Sequence, residues 1–110
     1  MTDKIVVLST CASAQEAELI ARRLLDKRLA ACVNILPGVR SFYRWKGAIE
    51  DDKEILLVIK SSRALFAELR AEIEKLHSYE VPEVIAIPLV DGSERYLAWL
   101  DRELAEERES

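Results

Sequence analysis

Residues 30–60 read AACVNILPGVRSFYRWKGAIEDDKEILLVIK, and this stretch decides the fold. An apolar run from Ala30 to Leu36 breaks at Pro37-Gly38, resumes through Val39 to Trp45, turns at Lys46-Gly47, and returns to Lys60. Val39, Ser41, Tyr43 and Trp45 fall on one face of the middle run, with Arg40, Phe42 and Arg44 on the other. That period of two is strand alternation carrying aromatics. If Ala48 to Lys60 is extended it spans about 43 Å at ~3.3 Å per residue. The helix that follows covers only about 20 Å at ~1.5 Å per residue. A chain of this length has a radius of gyration near ~13 Å. About half of the hairpin therefore outreaches its own domain, leaving Tyr43 and Trp45 on an arm that one copy cannot cover. Free strand edges bearing aromatics pair with further copies, so self-association is expected. The alternative is that Glu50-Asp51-Asp52-Lys53, poor in strand propensity, forms a solvated loop between shorter strands.

Outward from the hairpin, one pattern occurs twice. A strand over Lys4 to Thr10, a helix from Ala14 to about Lys27 and a strand from Ala30 form the first copy. A strand over Glu54 to Lys60, a helix from Ala64 to about His77 and a strand over Val84 to Val90 form the second. Ser13 and Glu16 read as a reciprocal capping box, with Ala17, Ile20, Ala21 and Leu24 as the buried stripe behind it. Ser61 or Ser62 is expected to cap the second helix, whose stripe is Leu65, Leu69, Ile73 and Leu76. After Asp91-Gly92 a third helix starts at Ser93, with Tyr96, Leu97, Leu100 and Leu104 on one face. The charged tail from Ala105 to Ser110 is expected to fray. Two split β-α-β units joined by a hairpin predict an α+β, ferredoxin-like β-α-β-β-α-β sandwich with an extended central hairpin and an extra C-terminal helix.

Composition agrees with one such domain spanning residues 1–110. Half the residues are apolar, a third are charged, and there are only three glycines and three prolines. That balance belongs to a packed core rather than to disorder. The net charge of −4 comes without a basic stripe, which argues against nucleic acid as a partner. The apolar run Ile5 to Leu8 is too short for a membrane span or an export signal, so the cytoplasm and reduced cysteines are expected.

No Cys-x-x-Cys, His-x-x-x-His, acidic calcium loop, phosphate loop or nucleophile elbow occurs, and no catalytic residue is assigned. An acyl-phosphatase chemistry on this sandwich lacks its arginine-bearing phosphate loop. The protein is not expected to be an enzyme. Cys32 lies in an apolar run and reads as core. Cys11 stands at the entry to a helix, where the partial positive charge favours thiolate. His77 closes the second helix and either caps its carbonyls or joins a metal site whose other ligands come from elsewhere. Lys60, next to Ser61 and Ser62 at a helix start, suits an anion or merely solvates a strand end. Tyr96 and Trp99 read as helix packing, and Glu50 to Asp52 as solvated acids.

Taken together, Ala30-Ala31-Cys32-Val33-Asn34-Ile35, Pro37-Gly38-Val39, Ser41 with Tyr43 and Trp45-Lys46-Gly47, and Glu54 through Lys60 resemble the CutA divalent-cation-tolerance proteins. So do Leu76-His77-Ser78-Tyr79-Glu80-Val81-Pro82-Glu83 and Tyr96-Leu97-Ala98-Trp99-Leu100. The resemblance runs from about Ile5 to Leu104. It implies a homotrimer whose hairpins, with Phe42, Tyr43 and Trp45, pack between subunits, and a role in tolerance of copper or another divalent cation. It also implies metal ligands at the end of the first strand and before the tyrosine motif. Ser9 stands at that strand position here, Cys11 follows two residues later, and the expected histidine pair is Leu76-His77. Losing the soft thiolate weakens any copper site. His77, Glu83 and Cys11 are the candidate metal ligands. The alternative is a sensor similar to the PII proteins, holding a small anionic metabolite at Lys60 and Tyr79 and regulating a protein partner.

Overall fold

The computed structural model describes residues 2–105. In chain order it has strand β1 (Lys4–Cys11), helix α1 (Ala14–Asp26), strands β2 (Cys32–Trp45) and β3 (Ala48–Ser62), a 3-10 turn (Arg63–Leu65) running into helix α2 (Phe66–Leu76), strand β4 (Ile85–Pro88) and helix α3 (Glu94–Glu103). The sheet order is β2-β3-β1-β4 and every neighbouring pair is antiparallel. Each β-α-β unit is split by a strand of the other, which is the expected ferredoxin-like arrangement.

Alternation sets the core. Ile5 and Val7 of β1 and Leu57 and Ile59 of β3 point at the helices and are buried. Ala17, Ile20 and Leu24 of α1 meet them, as do Leu65, Leu69 and Ile73 around α2. The Ser13 hydroxyl accepts the amide of Glu16 at 3.2 Å. The Glu16 carboxylate does not complete the box; it crosses to Ser78, whose N–H and hydroxyl donate to it at 3.1 and 2.8 Å. Neither serine caps α2: Ser62 makes no capping bond, and the buried Ser61 hydroxyl donates to the Leu29 carbonyl at 2.6 Å. At the far end, the Arg28 guanidinium donates to the last carbonyls of α3, at 2.6 and 3.0 Å. Leu104 enters the core, and the Ala105 amide donates to Arg28. Ala105 is therefore tied down; the rest of the tail expected to fray lies outside the described residues.

The hairpin is longer than either copy of the sequence pattern required. β1 accompanies β3 only from Ile55 to Ser62, so among the described residues β3 from Ala48 to Glu54 pairs with β2 alone. At its tip Lys46 and Gly47 have φ of 49° and 83°, the left-handed pair that a two-residue type I′ turn demands. Lower down, Pro37 and Gly38 oppose one residue of β3, a β-bulge in which Gly38 takes φ 80°. The loop alternative fails because the partners of Glu50–Lys53 fix their register. Arg40 grips Asp51 with two bonds of 2.9 and 2.8 Å, and the Tyr43 hydroxyl donates to Asp52. The molecule measures 43 × 28 × 23 Å with a radius of gyration of 14.6 Å, above the ~13 Å of a compact chain this long. Phe42 is 63% exposed and Ile49 70%.

The register also places Val6 and Leu8, Leu36, Leu56 and Val58, and Ile85 and Ile87 together on the sheet face turned away from α1 and α2. Leu36, Ile85 and Ile87 are exposed there. Cys32 belongs to this face as well and is half-buried, not core. No helix among the described residues is long and apolar enough to cross a membrane.

Candidate functional site

Where the ribbon leaves the sheet, its inner side and the segment after α2 enclose a groove of about 900 Å³. Phe42, Tyr43, Trp45 and Tyr79 supply aromatic walls, and Glu54, Glu80 and Glu83 supply carboxylates. Strand pairing holds the first three on a ribbon pinned by the type I′ turn, Tyr43 and Trp45 from one face and Phe42 from the other. Tyr79 reaches the groove because α2 ends at Leu76 and the chain turns extended at His77. The Tyr79 hydroxyl donates to Glu54 at 2.7 Å, and burial, followed by that carboxylate, pushes the phenol well above its ordinary value. The Tyr43 phenol is pushed up to about 12, chiefly by its bond to Asp52.

His77 lies behind the groove with its side chain wholly buried. Nε2–H donates to the Thr10 carbonyl at 2.7 Å, and Nδ1 accepts the Tyr79 amide at 3.0 Å, which fixes the tautomer. Glu16 approaches Nδ1 at 3.3 Å, and the ring packs on Tyr79 with centroids 4.6 Å apart. Both nitrogens are therefore occupied by backbone groups. The imidazole buckles the end of α2 to the end of β1; it does not cap α2 carbonyls and offers no lone pair to a metal.

The other sequence candidates separate. Cys11 is fully buried, its thiol 3.7 Å from the Ser13 carbonyl. Burial first, and then Glu16, push it up to about 11, so the expected thiolate at a helix entry is reversed. Ser9 is fully buried, and its hydroxyl oxygen is the one buried side-chain polar atom without a partner among the described residues. Lys60 does not face the start of α2. Its ammonium donates to Asn34 and lies 3.9 Å from the Cys32 sulfur, on the sheet face away from α1 and α2. Glu83 is exposed on the groove wall, away from the buried imidazole. A divalent cation needs several donors converging on one point. Among the described residues no group of three or more His, Cys, Asp and Glu side chains is so placed. His77, Cys11 and Glu83 thus do not fit a metal ion within one chain.

Sequence reasoning missed Glu54, which is only 7% exposed, and Glu80. A signal for Glu54 was present: strand parity puts it in line with Leu56 and Val58, an acid on an apolar stripe.

Comparison with known proteins places this geometry. A family model described as "CutA1 divalent ion tolerance protein" matches residues 5–103. The "Divalent-cation tolerance protein CutA" of Thermus thermophilus is 46% identical over 95 residues, covering 86% of this chain and 92% of that protein. "Protein CutA, chloroplastic" of Arabidopsis thaliana is 43% identical over 96 residues, 87% of this chain, and the chain spans 53% of that longer protein. The solved structure of a CutA described as periplasmic, from Archaeoglobus fulgidus, superposes with a TM-score of 0.88 at 43% identity, covering 91% of this chain and 97% of its own. With sandwich, ribbon and sequence in agreement over nearly its whole length, the chain belongs to the CutA1 divalent ion tolerance family.

Proposed function

We propose that this chain serves divalent-cation tolerance as an assembly of identical copies, three being the number its resemblance implied. The ribbon from Val39↔Glu54 to Trp45↔Ala48 carries the proposal: it has no third strand among the described residues and exposes Phe42, Tyr43 and Trp45. The apolar sheet face around Leu36, Ile85 and Ile87 supports it, since exposed apolar surface of this kind marks association. A copper or other divalent ion meets the carboxylates of the assembled groove, Glu80 and Glu83, rather than the His77 and Cys11 pair. We propose no catalytic step. The two free cysteines favour the cytoplasm as the compartment, although the family also includes members described as chloroplastic and periplasmic. The anion-sensor alternative rested on Lys60 at a helix start, and nothing in the geometry favours it.

Sedimentation velocity at micromolar concentration tests the assembly. A trimer is expected, with Trp45→Glu shifting it toward smaller species; a stable single-chain particle overturns the proposal. Calorimetric titration with copper tests the site. Weak saturable binding is expected to fall in Glu83→Gln and to persist in His77→Gln, and the opposite pattern would return His77 to the site.

A further inference from the structure

Two carboxylates in this molecule are equally buried and differently provided for. Glu72 and Glu54 are each 7% exposed. Glu72 is met by Lys27 at 3.0 Å, Arg23 at 3.4 Å and Lys75 at 4.0 Å. Glu54 has no ion pair with any lysine, arginine or histidine among the described residues; its partner is the neutral Tyr79 hydroxyl. A buried carboxylate is costly unless a cation accompanies it. What Glu54 faces is the groove.

The groove walls suit an organic cation. Arg40, itself on the groove wall, already lies 4.9 Å from the centre of Phe42, and the Lys46 ammonium 5.6 Å from that of Trp45, which leaves the Tyr43 and Tyr79 rings for a further cation. Aromatic faces attract ammonium groups through the ring quadrupole, and carboxylates add charge-assisted hydrogen bonds. An inorganic dication asks for converging oxygens, which the described residues of one chain do not assemble, whereas an ammonium needs one carboxylate and the faces of rings. The volume of about 900 Å³ admits a ligand several atoms long.

We propose that the groove binds an alkylammonium ligand whose cationic head sits on Glu54, between Tyr79 and the ribbon aromatics. A linear polyamine is the class that fits, because Glu80 and Glu83 line the same groove and meet its further ammonium groups. The site shares its groove, with Glu80 and Glu83, with the proposed divalent-ion role; the head on Glu54, and the test of it, do not depend on that role.

The experiment is calorimetric titration of spermidine into the full chain, at a concentration where sedimentation has fixed the assembly state. Saturable binding is expected, weakened at least about tenfold in Glu54→Gln, where the amide keeps an acceptor for Tyr79 but the charge is gone. Glu54→Asp keeps the charge and should bind more tightly than Glu54→Gln, which separates lost charge from disturbed folding. Any heat from magnesium chloride at matched ionic strength should be the same in wild type and Glu54→Gln. Absence of spermidine binding up to millimolar concentration overturns the proposal, as does equal affinity in wild type and Glu54→Gln. If spermidine is silent and Glu54→Gln also dissociates the assembly, the cation belongs to a lysine or arginine of a second copy, and the free-ligand proposal is overturned. A monomer that still binds spermidine would refute the assembly and leave this site standing.

Discussion

Replacing His77 by alanine distinguishes a structural buckle from a metal ligand, because the two roles predict different losses. The imidazole is wholly buried and satisfies two backbone groups, the Thr10 carbonyl at 2.7 Å and the Tyr79 amide at 3.0 Å. Each buried polar group left without a partner costs about 1–3 kcal/mol. Losing the ring contact with Tyr79 adds roughly 0.5–1.5 kcal/mol. A water molecule entering the space recovers part of this, since the site is lined by polar groups. The expected destabilisation is about 2–4 kcal/mol, or roughly a 30- to 1,000-fold change in the unfolding equilibrium. Urea unfolding, followed by circular dichroism at fixed protomer concentration, measures it; the fixed concentration matters because association contributes to apparent stability. The midpoint should fall with an unchanged slope. His77→Gln, whose amide reaches one of the two partners, should recover part of the loss. In both variants copper binding by the folded protein should persist. A destabilisation below about 0.5 kcal/mol together with loss of copper binding would refute the buckle and make the imidazole a ligand.

Three further outcomes follow from individual side chains. Ser9→Ala removes a buried hydroxyl that has no partner, so it should stabilise by about 1 kcal/mol in the same unfolding assay, and a loss of that size would reveal a hidden partner. With its thiol pushed up to about 11, Cys11 should stay unmodified by iodoacetamide at pH 8 in a Cys32→Ser background until urea unfolds the chain, and rapid labelling of the native protein would contradict its burial. Glu72 is held below the ordinary glutamate value of 4.5, foremost by its hydrogen bond from Lys27. The unfolded chain therefore takes up this proton more readily, and the stabilisation is complete above about pH 4.5 and lost as pH falls below it. Glu72→Gln should be less stable than wild type at pH 7 and converge with it on acidification; a difference that grows in acid would reverse the sign.

The fold was legible where one local signal sufficed. Val39 to Trp45 alternates with period two and Lys46-Gly47 marks the turn, so hairpin and overhang both followed from the sequence; that the break at Pro37-Gly38 is a β-bulge came from the structure. Element ends were less legible. β3 begins at Ala48, as the extended reading of Ala48 to Lys60 required, and not at Glu54 as the repeated pattern alone had it. Arg40 and Tyr43 hold Asp51 and Asp52 in register against their own propensity. β4 keeps only Ile85–Pro88 of the expected Val84 to Val90, since it is an edge strand with β1 as its one neighbour among the described residues.

Phe42, Tyr43, Trp45, Tyr79 and Glu83, named from the sequence, all line the groove. The local partners of other polar side chains were misread for one physical reason: each was assigned to the nearest backbone, and the folded chain uses it elsewhere. Glu16 looked like the second half of its own helix cap and serves Ser78, 62 residues away. His77 looked like a cap for α2 or a metal ligand, and its ring serves Thr10, 67 residues away. Cys11 looked activated by a helix entry, yet burial and the Glu16 carboxylate outweigh that partial charge, which acts only within the first turn. Glu54 shows the same rule in its strongest form. In the linear chain Glu54 and Glu72 are both ordinary acids beside apolar residues. Only the packing of α1 against α2 gives Glu72 its Lys27 and Arg23, and no element brings a cation to Glu54 among the described residues. The chemistry of a buried carboxylate is thus set by what the other elements place opposite it. A groove of aromatics facing the carboxylate left without a cation is a stronger pointer to a ligand than any motif in this sequence.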